Sequence, residues 1–156
     1  MFRKLTLALF ALAFLANAHP AAAQDSKKVG LGFILGEPTG LDLKFWLADG
    51  HALEFGAAWS LSDNDEFHLQ GDYLFHKFDV FDITTGDDFP LFFGVGMRMI
   101  LIDNFEDVVG IRFPVGLAYI FADYPFDIFG EIVPILDIAP DSDFDLEGAI
   151  GARFWF

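Results

Sequence analysis

From Val29 to Phe156 the chain alternates apolar residues with small or polar ones at a period of two, in eight segments separated by short runs of Gly, Pro, Asp and Asn. That period belongs to strands whose two faces meet different surroundings. The segments run from Val29 to Gly36, Leu41 to Leu47, Ala52 to Leu61, Phe67 to Phe78, Leu91 to Leu101, Val108 to Phe121, Phe126 to Ile138, and Asp145 to Phe156. Between them stand Glu37 to Gly40, Ala48 to His51, Ser62 to Asp65, Asp82 to Pro90, Asp103 to Glu106, Ala122 to Pro125, and Ala139 to Asp143. Each of these connections holds residues that favour chain reversal. No helical period of useful length remains, so the pattern predicts an all-β fold of eight antiparallel strands.

The two faces differ in kind. One carries Leu41, Leu43, Phe45 and Leu47, then Leu53, Phe55 and Trp59, and continues through Phe93, Val95, Met97, Ile111, Phe113, Leu146, Ile150 and Phe154. The other carries Gly30, Gly32, Asp42, Lys44, Glu54, Gly56, Gln70, Asp72, Gly94, Gly96, Arg98, Gly110, Arg112, Glu131, Glu147, Gly151 and Arg153. An eight-stranded barrel has an interior only wide enough for side chains to fill, so several bulky residues per strand do not all fit inside. The glycines and charges fit. The bulky face must point outward, and a continuous outward band of Phe, Leu and Ile is tolerated only in lipid. A soluble lipocalin-like barrel would need the inverse arrangement, polar outside and apolar within.

Composition agrees with two unlike surfaces. Hydrophobic residues make up 54% of the 156 residues, 21 of them Phe, while 24 acidic residues face 9 basic ones. That balance excludes nucleic acid as a partner, which needs a basic stripe. There is no cysteine, so no disulfide framework supports the fold. Arg3 and Lys4, the apolar run Leu5 to Leu15 and the small residues Ala21 to Ala23 predict a cleavable signal peptide over residues 1–23, with Ala18 as a second cleavage position. The mature chain, residues 24–156, then forms one domain.

The ending Gly151-Ala152-Arg153-Phe154-Trp155-Phe156 resembles the C-terminal signal by which bacterial outer-membrane barrels are recognised for assembly. Gly151, Phe154 and Phe156 match it, whereas Ala149 stands where a polar residue is usual. The mature chain as a whole resembles the small eight-stranded outer-membrane barrels of the OmpA transmembrane-domain kind. Gly36 to Leu41 and Pro140 to Leu146 are similar to stretches in a bacterial family of predicted outer-membrane barrels without an established function. The resemblance implies an up-and-down barrel in the outer membrane of a Gram-negative-type bacterium, acting as a monomer without a cofactor. Its implied partners are outer-membrane lipid and the barrel-assembly machinery, which engages the last strand.

Counting outward from each turn places Lys44 opposite Glu54, Glu54 opposite Asp72, Asp72 opposite Arg98, and Arg98 opposite Arg112, with Glu131, Glu147 and Arg153 completing a lumen charge belt. Such a belt either cross-links the walls as a plug or lines a narrow ion path. The plug is the expectation, because side chains fill so small a bore. Pro114 and Pro134 lie inside segments six and seven and predict a bulge there.

Enzymatic readings find little support. Ser60, His68 and Asp72 share the inward face, but residues four apart on a strand stand about 13 Å apart, beyond a triad hydrogen bond. His51 and His76 fall on opposite faces with no third metal ligand. Asp141 to Asp145 spaces carboxylates like the start of a calcium loop, yet Leu146 and Ala152 occupy the positions of its glycine and bidentate Glu. With Asp63, Asp65 and Glu66 these acids predict a solvated rim. A non-catalytic structural or membrane-integrity component is the function expected. A narrow channel is the alternative, and a lipid-modifying enzyme a more distant one.

Overall fold

Each alternating segment forms strand in the computed structural model, which describes residues 28–59, 66–81, 85–103 and 105–156. The expected leader, Ser60 and the Ser62 to Asp65 turn lie outside the described residues. The strands are β1 (Val29–Gly36), β2 (Gly40–Ala48), β3 (His51–Trp59), β4 (Glu66–Lys77), β5 (Leu91–Ile102), β6 (Val108–Arg112), β7 (Val115–Ile120), β8 (Phe126–Ala139) and β9 (Asp143–Trp155). All neighbours pair antiparallel, and β9 returns to β1 with Gly30 opposite Trp155 and Gly36 opposite Ala149. β6 and β7 both lie between β5 and β8, so nine strands occupy eight places around a closed ring.

The break between β6 and β7 marks Pro114. Contrary to expectation there is no bulge at the prolines: Gly96 faces Arg112 and Phe93 faces Val115 in one unbroken register with β5. The amide of Gly94 still donates to the Pro114 carbonyl at 2.9 Å, and that of Phe113 to the Pro134 carbonyl at 2.9 Å. Each proline keeps its acceptor and loses only the bond its own nitrogen has no hydrogen to make. The register shift sits instead between Val109 and Gly110, where β8 takes two residues to one.

Local chemistry explains the reversals at the terminus end of the barrel, where Phe156 meets Val29. β2 and β3 join through Asp49-Gly50, with Gly50 at φ 74°, a backbone that only glycine adopts without strain and that matches the hairpin twist. Residues 85–88 of the long β4–β5 connection dock on the barrel end. Asp88 and Ile120 exchange both backbone bonds, at 3.1 and 2.8 Å. Asp87 accepts from the Ala122 amide at 2.8 Å, the Tyr119 hydroxyl at 2.5 Å and the Thr85 hydroxyl at 3.1 Å. These donors, the Ala122 amide foremost, hold the Asp87 carboxyl below the usual carboxylate range.

The faces sort as the alternation requires. Phe33, Met97, Ile132 and Ile150 are 57 to 65% exposed on the outside, whereas Asp42, Lys44, Glu54 and Arg153 are 0 to 1% exposed within. Aromatic contacts ring the outside near the termini, among them Phe75 on Phe93 at 5.7 Å and Phe126 on Phe154 at 5.1 Å. Such girdles mark the interfacial height of a membrane barrel.

Candidate functional site in the barrel lumen

The lumen is filled because its glycines and large residues are paired as slots and occupants. A Cβ on Gly30 would meet the Trp155 ring, on Gly96 the Asp72 carboxylate, on Gly110 the Asp137 carboxylate, on Gly116 the Phe92 ring and on Gly151 the Phe129 ring. Gly151, expected as part of an assembly signal, is thus also a packing position.

An apolar floor closes the terminus end. Trp46, His76, Phe92 and Trp155 stack there, with Trp46 4.5 Å from His76 and 6.0 Å from Trp155, and His76 5.5 Å from Phe92. Leu74, Ala52, Ala118, Phe129, Ile34 and Ala149 continue the same buried cluster. Alternation had assigned bulky residues to the outside, so this floor is a departure. Its aromatics sit where inward parity meets a strand end, and inward parity was the available signal.

Above the floor Arg153 is the hub of one network. Its Nε donates to Asp127 at 3.0 Å, and its Nη1 donates to Asp42 at 3.2 Å and to Glu54. The guanidinium lies 4.0 Å from the centre of the Phe129 ring. Trp155 Nε1 donates to the second Asp127 oxygen at 3.0 Å, fixing that carboxylate from the floor side. Lys44 sits 3.5 Å from Glu54, donates to His76 Nε2 at 2.8 Å, and lies over the Trp46 and Phe92 rings at 5.2 and 5.3 Å.

A second network fills the far half. Arg112 donates from Nε to Asp72 at 3.1 Å and from Nη1 to Glu147 at 3.0 Å, with Glu131 at 3.7 Å. Arg98 grips Asp137 through Nε at 3.0 Å and Nη2 at 2.6 Å, and its Nη1 reaches Asp145 at 2.9 Å and Glu147 at 2.5 Å. The planar fork of Arg suits such two-pronged contacts, which a single ammonium does not reproduce. Glu147 bridges the two arginines.

All eight expected belt residues, Lys44, Glu54, Asp72, Arg98, Arg112, Glu131, Glu147 and Arg153, are buried in the lumen. Their order differs from the count. Lys44 faces Glu54 and Glu54 faces Asp72, but Asp72 faces Gly96 and Arg98 faces Gln70. Arg98 in turn faces Gly110, not Arg112. The partner of Asp72 is therefore Arg112, reached across the slot of Gly96, and the arginines are separated by carboxylates. Asp42, Asp127, Asp137 and Asp145 were missing from the belt. Asp127 and Asp137 share the parity of Glu131, which would have found them.

The remaining candidates do not assemble. His68 lies 3.5 Å from Glu66, and His51 bonds the Tyr73 hydroxyl at 2.9 Å. Among the described residues no group of three or more His, Asp or Glu side chains converges as metal ligands.

Comparison with solved structures decides the fold. The N-terminal β-barrel domain of Pseudomonas aeruginosa OprF superposes with a TM-score of 0.55 at 15% identity, over 85% of this chain and 100% of that one. The fold is that of the small outer-membrane β-barrels. Neisserial surface protein A superposes with a TM-score of 0.45 at 9% identity, over 83% of this chain and 94% of that one. No protein-family model and no curated protein matches the sequence. With an apolar band outside and charges within, the chain has that barrel fold in eight strand places.

Proposed function

We propose that the protein is a non-catalytic, monomeric component of the outer membrane of a Gram-negative-type bacterium, where it supports membrane integrity as a closed barrel. The observation that carries this reading is the filled lumen: an aromatic floor at one end and two arginine-centred networks above it, packed into glycine slots. Walls cross-linked in this way favour rigidity over passage. The lipid band, the assembly signal of Gly151, Phe154 and Phe156, and the expected leader support export to the outer membrane, with outer-membrane lipid and the assembly machinery as partners.

The test is single-channel recording of the refolded protein in a planar bilayer. A plug predicts no steady openings, and regular conductance steps would overturn it. One observation favours the narrow channel as a second reading. Arg98 and Glu147 line a cavity of about 890 Å³ that opens at the end away from the termini, so one mouth is accessible. Conduction with cation preference would select that reading.

A further inference from the structure

The buried charges of the lumen do not balance. Among the described residues seven buried carboxylates share it with four buried cations, which leaves three negative charges uncompensated at full ionisation. The imbalance is localised. Asp42 Oδ1, Glu54 Oε1 and Glu131 Oε2 are buried and accept no hydrogen bond, on side chains 0%, 1% and 7% exposed. Asp42 and Glu54 belong to the Arg153 network and Glu131 to the Arg112 network. Glu54 faces Asp72 across the β3–β4 ladder, and Asp72 shares Arg112 with Glu131, at 3.1 and 3.7 Å. The free oxygens therefore border the junction where the networks meet.

Among the described residues the walls around the junction supply no further cation. Glu131 is flanked by Gly116 on β7 and Ala149 on β9, and its one basic neighbour is Arg112 on β6. Asp42 is flanked by Gly32 on β1 and Gly56 on β3, with Arg153 of β9 as its ion-pair partner. Glu54 has Lys44 and Arg153, both shared with other acceptors. Arg153 Nη2 is the unpartnered guanidinium nitrogen of these hubs, and its two N–H groups do not satisfy three acceptors on opposite walls. A buried carboxylate without a counter-charge is costly, and within a membrane the surrounding lipid offers no relief.

We propose that Asp42, Glu54 and Glu131 hold at least one proton between them, taken up from solution as the barrel folds, and that this bound charge completes the plug. A metal ion is disfavoured at the junction, because no group of three or more His, Asp or Glu side chains able to hold one converges among the described residues. The inference rests on the closed-lumen reading, but the two fail separately.

The experiment counts what unfolding releases. Refolded protein in zwitterionic detergent is unfolded by urea in weakly buffered solution, with an indicator dye reporting protons and the sodium resonance reporting bound Na⁺. Urea midpoints are measured in parallel in sodium and choline chloride across neutral to alkaline pH. Wild type is expected to release protons on unfolding. A proton occupant lowers the midpoint as pH rises, whereas an alkali-ion occupant raises it in sodium relative to choline. The isosteric variants Glu131→Gln and Asp42→Asn are expected to lose that dependence, and Glu106→Gln on the exposed rim to keep it. If wild type releases no protons and its midpoint ignores pH, or if sodium alone moves the midpoint, the inference is overturned. Wild type alone decides this, even where a variant fails to fold. Steady bilayer conductance with normal release would remove the plug and leave the site, and a silent bilayer without release would do the reverse.

Discussion

Replacing Arg153 by Met tests the hub on which the terminus-side network depends. The thioether keeps much of the stem that packs on Phe129, so the change removes charge and donors more than volume. Three buried carboxylates, Asp42, Glu54 and Asp127, lose their shared partner, and Lys44 remains as the neighbouring cation. Breaking one buried pair from one side costs roughly 3 to 5 kcal/mol. Charge-assisted bonds contribute about 1.5 to 3 kcal/mol each, though not additively. A loss of at least about 3 to 5 kcal/mol is therefore expected, a large share of the roughly 5 to 15 kcal/mol that separates most folded domains from unfolding. Urea unfolding in detergent, followed by tryptophan fluorescence, reads it, and Trp155 reports from the site itself through its bond to Asp127. Adding Glu54→Gln to Arg153→Met is expected to restore part of the loss. A loss under about 1 kcal/mol, the size of a solvent-exposed pair, with simple additivity in the double variant, would refute a dry, cross-linked lumen.

Other outcomes follow from the same geometry. Asp72→Ala and Arg112→Ala are expected to couple by roughly 0.5 to 3 kcal/mol in a double-mutant cycle, whereas Asp72→Ala and Arg98→Ala add more nearly independently, because no direct bond joins that pair. Gly96→Ala forces the Asp72 carboxylate and the neighbouring backbone to move, and a loss of about 1 to 3 kcal/mol is expected in the same urea assay. Met97→Arg sets a charge on the outward face and should destabilise the barrel in lipid vesicles by about 2 to 4 kcal/mol if that position lies near the bilayer midplane, and by far less in its absence. Deleting Phe156 should leave export intact while reducing the heat-modifiable, assembled form on gels. The depressed Asp87 carboxyl contributes stability that is present above the ordinary carboxylate range and lost as pH falls through its lowered value. The Ala122 amide resonance should titrate over that acidic window in wild type and not in Asp87→Asn.

Much of the architecture is legible in the alternation alone. Period two located every strand to within a few residues and separated the lipid face from the lumen, because an eight-stranded bore leaves only one place for glycines and charges. Position along the barrel was harder. Counting from turns worked where the connection is the two residues Asp49-Gly50, which fix the register. It failed by two residues across the long connection before Leu91, where Asp88 docks against Ile120 and Lys77 stands opposite Leu91, and by two again across Asp103 to Glu106, where Arg98 faces Gly110. The two shifts together hid the Asp72 to Arg112 bond. Pro134 obscured the parity of β8 and with it Asp127 and Asp137, although the strand continues through the proline without slipping. The aromatic floor was missed for a different reason: Trp46, Phe92 and Trp155 are bulky, and size had been read as a label for the lipid side.

The two prolines bear on how the ring would come apart. Pro114 and Pro134 each remove one bond of a pair, on the β5 side and the β8 side of the same short stretch, so a short length of wall is held by half its usual backbone bonds. Pulled across the membrane plane, a cylinder fails where its stitching is thinnest. Rupture under load should start beside Phe113 and travel outward in both directions, leaving the fully stitched β9–β1 closure, where the Phe156 amide donates to the Val29 carbonyl, among the last joints to part.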